Sequence, residues 1–213
     1  MKTSIMYCIL IAGMPGSGKS TFANKISQEF DIPIYSKDQF KEVLFDTLGF
    51  NSREEKVRLG IAATKLMYCA AEELMKHNKM FIFDNNFEKA LTDQLDFLLD
   101  KYHYTAITVR LTGDPKDIYK RFTDRDLNTN RHRGHVVNDC YPEKPDSKKD
   151  NSTRKTYEQY LKDIEEREFN AFTSNGPVID VDVTDLNKVD YALLITKLRT
   201  IIKLHDAKQK ATT

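Results

Sequence analysis

Ile5-Met-Tyr-Cys-Ile-Leu-Ile-Ala12 runs straight into Gly13-Met-Pro-Gly-Ser-Gly18-Lys19-Ser20, and a helix-like stretch follows from Thr21 to Phe30. The middle piece matches G-x-x-x-x-G-K-[ST], the phosphate-binding P-loop, in the strand–loop–helix context that the pattern needs. Gly13, Gly16 and Gly18 can take φ > 0, so successive N–H groups turn inward around the phosphates of a nucleotide at the positive end of the next helix. Lys19 then reaches the β- and γ-phosphates, and the Ser20 hydroxyl is placed to ligate Mg²⁺. The expected nucleotide-binding set is Gly13, Pro15, Gly16, Ser17, Gly18, Lys19, Ser20 and Thr21. ATP or another nucleoside triphosphate is the expected ligand, and the fate of its γ-phosphate rests on the remaining residues.

Outward from this motif, strands and helices alternate. Strands are expected at 5–12, 32–36, 79–84, 104–111 and 178–183. Between them, helices are expected at 19–30, 38–48, from Ser52 to His77, 88–102, 115–126, 155–172 and 186–204, with a frayed tail beyond. Ser52 followed by Glu55 is a capping-box start, and Leu59, Ala63, Leu66, Met67, Ala70 and Leu74 share one helical face behind it. Residues 127–152, polar and with Gly134, Pro142 and Pro145, have no clear period and read as a lid or flexible loop. Strand–helix alternation predicts an α/β three-layer sandwich, a five-stranded parallel sheet with helices on both faces, and ligands at the carboxyl ends of the strands.

Composition sets the outer bounds. With 213 residues, 40% of them hydrophobic, residues 1–213 are expected to form a single domain with at most an inserted lid. The 33 basic and 32 acidic residues give a net charge of +1, which argues against a broad, sequence-blind nucleic-acid footprint. The apolar run at 5–14 is too short to span a bilayer, and signal cleavage there would destroy the P-loop strand, so no membrane role and a cytoplasmic location are expected. Cys8, Cys69 and Cys140, odd in number and widely spaced, read as reduced thiols.

Three further constellations fall at the expected carboxyl edge of the sheet. In Ser36-Lys-Asp38-Gln-Phe-Lys41, Asp38 is placed to accept the proton of an attacking hydroxyl, or simply to favour the start of the next helix. In Phe81-Ile-Phe-Asp84-Asn85-Asn86, Asp84 ends an apolar strand as a Walker B acid does; it could position Mg²⁺ with Ser20 or hold the acceptor, as the two asparagines could, or belong to a turn. Arg121 and Arg125 lie one helical turn apart, ahead of Arg131-His-Arg-Gly-His135, and serve either a developing metaphosphate or a solvated basic helix end. His132, His135 and Cys140 match no standard zinc spacing.

These segments resemble a group of P-loop kinases that includes the 5′-kinase domain of bacteriophage polynucleotide kinase, the zeta toxins and chloramphenicol phosphotransferase. Ile11 to Thr21 is similar to their Walker A, Ser36-Lys-Asp38 with Lys41 resembles their catalytic aspartate segment, and Arg121 with Arg125 is similar to their lid arginines. The resemblance implies Asp38 as general base, Lys19 and Ser20 on the triphosphate and Mg²⁺, and Arg121 and Arg125 as transition-state clamps. Lys41, Asp84, Asn86 and Arg131 complete the expected acceptor side. An ATP- and Mg²⁺-dependent kinase is expected, passing the γ-phosphoryl group to a hydroxyl of a small molecule or of a nucleic-acid 5′ end. A regulatory ATPase or switch and a nucleotide-sugar kinase are the alternatives.

Overall fold

The structure, a computed structural model, describes residues 6–87, 92–127, 130–144 and 155–211, with side chains as far as residue 203. Five strands, β1 (Met6–Gly13), β2 (Ile34–Ser36), β3 (Phe81–Asp84), β4 (Tyr104–Thr112) and β5 (Val178–Asp182), form one sheet in the order β2-β3-β1-β4-β5. Every pairing is parallel. From β1 the chain moves first to β2 and β3 on one side and later to β4 and β5 on the other. The connections therefore diverge at the carboxyl end of β1, where a crevice opens in sheets of this kind.

Strand alternation divides the core between two faces. Tyr7, Ile9 and Ile11 meet Phe22 and Ile26 of α1 (Lys19–Phe30), Ile118 of α5 (Pro115–Leu127), Tyr160 of α7 (Tyr157–Arg167) and Leu194 and Leu198 of α8 (Tyr191–Ala211). Cys8, Leu10 and Ala12 point the other way, onto Met67, Ala71 and Met75 of α3 (Arg53–Lys76) and Leu95 and Leu98 of α4 (Asp93–Tyr102). The result is the expected three-layer α/β sandwich. No helix among the described residues is long and apolar enough to cross a membrane.

Most boundaries lie within two residues of the sequence reading, and the Ser52 hydroxyl does accept from the Glu55 amide. Three helices differ. Residues 88–91, the expected start of α4, lie outside the described residues. The helix expected at 155–172 stops at Arg167, because Glu168 takes a left-handed φ of 51° and turns the chain so that Phe172 stacks on Phe87 with ring centroids 4.6 Å apart. The last helix starts at Tyr191 instead of residue 186: Asp185 accepts from the Asn187 amide, closing a separate 3₁₀ turn at Leu186–Lys188. In place of a frayed tail, α8 continues to Ala211.

Residues 128–129 and 145–152 of the expected lid lie outside the described residues, but the described part, 130–144, is packed against the protein. It contains a single helical turn, α6 (Arg133–Val136), and Tyr141 exchanges two backbone hydrogen bonds of 2.8 Å with Phe50. Phe45 of α2 (Lys37–Leu48), Phe50 and Val137 form a small core beneath it, joined by Leu59 and Tyr141. A polar sequence hides this docking because the contacts are made by a few isolated apolar side chains, without helical or strand period. Gly134 is buried against Phe45, and a Cβ there would stand 2.4 Å from Cδ2 of the ring. Gly134→Ala is therefore expected to destabilise the protein by about 1–3 kcal/mol, as overpacking does, measured by urea unfolding against the wild type.

Candidate active site

The register of the sheet brings the first elements of the site into one row. Asp84, the last residue of β3, pairs with Ile11 of β1 on one side and Ser36 of β2 on the other. The loop after β1 then turns back over this edge. Its tightness has a steric cause: a Cβ on Gly13 would lie 2.6 Å from the Leu111 carbonyl oxygen, and one on Gly16, where φ is 89°, 2.7 Å from that of Ile118. Tyr160 of α7 clasps the loop from outside by donating its hydroxyl to the Pro15 carbonyl at 2.7 Å.

Lys19 folds back over the loop and donates to the carbonyls of Gly13 and Met14, each at 3.0 Å. Burial pushes its pKa down to about 8, with Asp84 and Asp38 opposing and Arg125 adding to the fall. The Ser20 hydroxyl donates to Asp84 Oδ2 at 2.7 Å, and the Asp84 carboxyl is raised, first by burial, against the pull of Lys19 and of this hydrogen bond. A hydroxyl and one buried carboxylate make a hard-oxygen pair that suits Mg²⁺, whose remaining positions phosphate oxygens and water usually fill. The residues fit that ion, and the inward-turned loop with its cationic Lys19 fits a triphosphate.

Asp38 stands in the first turn of α2, facing the P-loop across the same cleft. About half of its side-chain surface, 48%, is open to that cleft, while protein surrounds the carboxylate on its other sides. Burial works to raise its pKa, but His135, which is protonated only in the acid range where Asp38 titrates, and the positive Lys41, Arg131 and Arg125 prevail and hold it at about 2. Arg131 Nη2 approaches Asp38 Oδ2 at 3.5 Å, and His135 Nδ1 is 4.0 Å from Oδ1. Burial drives His135 down to about 3, so at neutral pH the imidazole is uncharged, with Nε2 2.9 Å from Glu42 Oε1.

The two helical arginines are used differently. Arg121 donates to the carbonyls of Thr184 at 2.9 Å and Val183 at 2.6 Å, and more weakly to Gly16 at 3.4 Å, tying the P-loop to the loop after β5. Arg125 lies over the Phe122 ring and reaches Asp126 at 3.4 Å, and its pKa is lowered, first by burial and then by Arg131. Both arginines line one cleft of about 660 Å³ together with Pro15, Gly16, Gly18, Lys19, Ser20, Thr21, Asp38, Lys41, Asp84, Asn86 and Arg131. Gly13 and Ser17 lie behind this surface; Gly13 ends β1, and Ser17 is fully buried. His132 and His135 each engage a carboxylate, Asp46 and Glu42.

Two residues of the site, Lys56 and Tyr160, left no local trace in the sequence, whereas Asn85 was already a candidate beside Asp84. Lys56, 5% exposed, donates to the carbonyls of His135 and Val137 and to Asn138 Oδ1, joining α3 to the α6 segment. Asn85 lines the cleft, 6% exposed, with its Oδ1 buried and without a hydrogen-bond partner among the described residues. Tyr160 meets the P-loop from a point 145 residues further along the chain. Only the Asn85-Asn86 pair sat beside a recognisable motif.

The family model of the AAA domain AAA_18 matches residues 9–162, well over half of the chain. The chain belongs to this family. No curated protein matches it. Among solved structures, this AAA domain protein is similar to a presumptive kinase of Chloroflexus aurantiacus, with a TM-score of 0.74 at 22% identity over 96% of this chain and 100% of that one. It is also similar to the shikimate kinase of Bacteroides thetaiotaomicron, with TM-score 0.52, 16% identity and coverage of 93% and 99%. A gluconokinase of Sinorhizobium meliloti gives 0.53 at 13% identity, with coverage of 99% and 100%. At these identities the likeness is one of fold, that of the P-loop kinases.

Two outcomes follow from this geometry. Lys56→Met keeps the aliphatic stem but strands the buried Val137 carbonyl and two part-buried oxygens, so a loss of about 1–3 kcal/mol is expected in urea unfolding. The Asp38 carboxyl is lower in the folded protein, about 2, than its ordinary 3.8, so its charge adds stability above pH 4 that disappears as pH falls towards 2. The stability difference between wild type and Asp38→Asn is therefore expected to be larger at pH 7 than at pH 3.

Proposed function

We propose that this AAA domain protein transfers the γ-phosphoryl group of ATP to the hydroxyl of a separate acceptor molecule. The observation that carries this reading is that Asp38, an ionised carboxylate, faces the P-loop across a cleft that continues beyond it along α2 and α3. A hydrolytic switch has no need of that second half. In the proposed reaction the acceptor oxygen forms a bond to the γ-phosphorus as the bond from that phosphorus to the β-bridging oxygen breaks. Asp38 takes the hydroxyl proton, and ADP leaves with the broken bond's electron pair.

Lys19 exchanges its loop carbonyls for β- and γ-phosphate oxygens. Ser20 and Asp84 would hold Mg²⁺, which would supply positive charge against the phosphate oxygens. Arg125 is the proposed clamp on the transferring group, since its guanidinium lines the cleft and, among the described residues, its hydrogen bonds are the long ones to Asp126 at 3.4 Å. Arg121 supports the same group through Gly16 and the loop after β5. Asn86 and Arg131, with Lys41, are proposed to hold the acceptor, and Asn85 Oδ1 offers a further acceptor atom to one of its donors.

Lys19→Ala is expected to lose most transfer activity and to weaken ATP binding. Asp38→Asn keeps the shape and should hold ATP affinity close to that of the wild type while transfer falls about 10²- to 10⁴-fold. Arg125→Lys keeps the charge without the planar fork, so its defect should fall on kcat more than on KM for ATP. Steady-state kinetics with radiolabelled ATP across nucleosides, sugars, antibiotics and 5′-hydroxyl oligonucleotides reads all three. Full transfer by Asp38→Asn would remove the base from the mechanism.

A further inference from the structure

Asp38, Glu42 and Asp46 follow one another at four-residue intervals on α2, so their carboxylates form a stripe along one side of the helix. The chain around α6 folds over that stripe and sets two imidazoles on it. His132 Nε2 stands 3.0 Å from Asp46 Oδ1, and His135 Nε2 stands 2.9 Å from Glu42 Oε1. A ring nitrogen that faces a carboxylate carries the hydrogen, so each neutral imidazole keeps its lone pair on Nδ1.

The two lone pairs are placed differently. That of His132 accepts from the Gly134 amide at 3.1 Å, inside the turn of α6. His135 Nδ1 accepts from no described residue and faces Asp38 Oδ1 at 4.0 Å. While Asp38 is ionised, two acceptors therefore look at each other with no proton to share. The ring is fixed in this position from several sides: Lys56 donates to the His135 carbonyl at 3.0 Å, Phe45 meets the imidazole edge-on with centroids 5.7 Å apart, and the side chain is only 5% exposed. Burial keeps it uncharged at neutral pH; Asp38 opposes this, and Arg131, Lys41 and His132 reinforce it. A neutral, immobilised lone pair offers nothing to a carboxylate, but it suits a carboxylic acid, since a hydrogen bond to the neutral form favours that form.

We propose that His135 acts through Asp38 as a positioning residue and proton relay: its Nδ1 accepts the proton that Asp38 takes from the acceptor hydroxyl, while Glu42 orients the ring. This rests on the phosphotransfer reading above. As the acceptor oxygen bonds to phosphorus, its proton passes to an Asp38 oxygen, and rotation of the carboxyl brings that O–H within reach of Nδ1. The lone pair of Nδ1 forms the N–H bond as the O–H bond breaks. Asp38 is again a carboxylate, and the imidazolium lies between two carboxylates, those of Asp38 and Glu42. After the products leave, Nδ1 returns the proton to water through the cleft that His135 lines.

The kinetic test uses the full chain with Mg²⁺, ATP and the best-labelled compound among nucleosides, sugars, antibiotics and 5′-hydroxyl oligonucleotides. His135→Asn and His135→Ala are expected to lower kcat about ten-fold, part of what general base catalysis supplies. KM for ATP and for the acceptor should stay within about two-fold, because neither ligand is bound by the ring. Added imidazole should raise kcat in His135→Ala, whereas pyrazole, of the same size but a much weaker base, should not. Wild-type kcat in both variants, or a response in which imidazole does no better than pyrazole, overturns the relay while phosphotransfer stands. If the wild type labels no compound, the phosphotransfer reading fails, and the pairing itself is decided by NMR of the ring nitrogens. In ¹⁵N-labelled wild type at pH 7, His135 should be the Nε2–H tautomer. In Asp38→Asn, whose amide donates as a protonated Asp38 would, the Nδ1 resonance should move upfield, as that of a hydrogen-bonded acceptor. An Nδ1–H tautomer, an imidazolium at pH 7, or an Nδ1 resonance unmoved by Asp38→Asn contradicts the pairing.

Discussion

The loop after β1 lies so close to the Leu111 and Ile118 carbonyls that neither Gly13 nor Gly16 has room for a Cβ. The rest of the site depends on that closeness. A loop held down against β4 and α5 presents its N–H groups in one concave turn, starts α1 at the same edge, and leaves Lys19 and Ser20 one step inside the helix, beside Asp84. Two clasps from distant sequence keep it there: the Tyr160 hydroxyl on Pro15, and Arg121 shared between Gly16 and the loop after β5. The P-loop end of the cleft is thus held by contacts within the chain itself, so little ordering entropy is left to be lost on binding.

Two carboxylates at this edge are pushed in opposite directions. Asp84 is raised, chiefly by burial, and Asp38 is held low by the positive groups around it. Such divergence accords with the roles proposed above, Asp84 on an ion and Asp38 on the acceptor proton. A carboxylate as acidic as Asp38 is a weak base. In the proposed transfer, positioning and charge stabilisation of a loose transition state would carry most of the catalysis, so a weak base in the right place would suffice.

Much of this was legible in the sequence wherever one element makes its own signal. The P-loop, the buried strands and the Ser52 start of α3 are all local patterns, and each lies within two residues of its expected place. The Asp84 position was equally readable, because an acid closing an apolar strand of a parallel sheet has nowhere to go but the carboxyl edge. What stayed hidden depends on chain returns. Lys56 looks like any charged residue of an amphipathic helix until residues 135–138 fold over it, and Tyr160 reads as part of an ordinary helical stripe until α7 packs beside the P-loop. The 130–144 segment is polar in composition yet docked, since Phe45, Phe50 and Val137 carry its packing. Nor does spacing distinguish Arg121 from Arg125; the difference is that the Arg121 guanidinium meets the Gly16, Val183 and Thr184 carbonyls, whereas that of Arg125 meets the Asp126 carboxylate and the Phe122 ring.

The fate of the γ-phosphate tests phosphotransfer most directly. Followed by ³¹P NMR in ¹⁸O-enriched water, with ATP, Mg²⁺ and hydroxyl compounds present together, the γ-phosphate should move into a new phosphomonoester resonance that grows in step with ADP and carries no ¹⁸O shift. Recovery of all of it as inorganic phosphate bearing one ¹⁸O from water, with no ester formed, would contradict the transfer reaction.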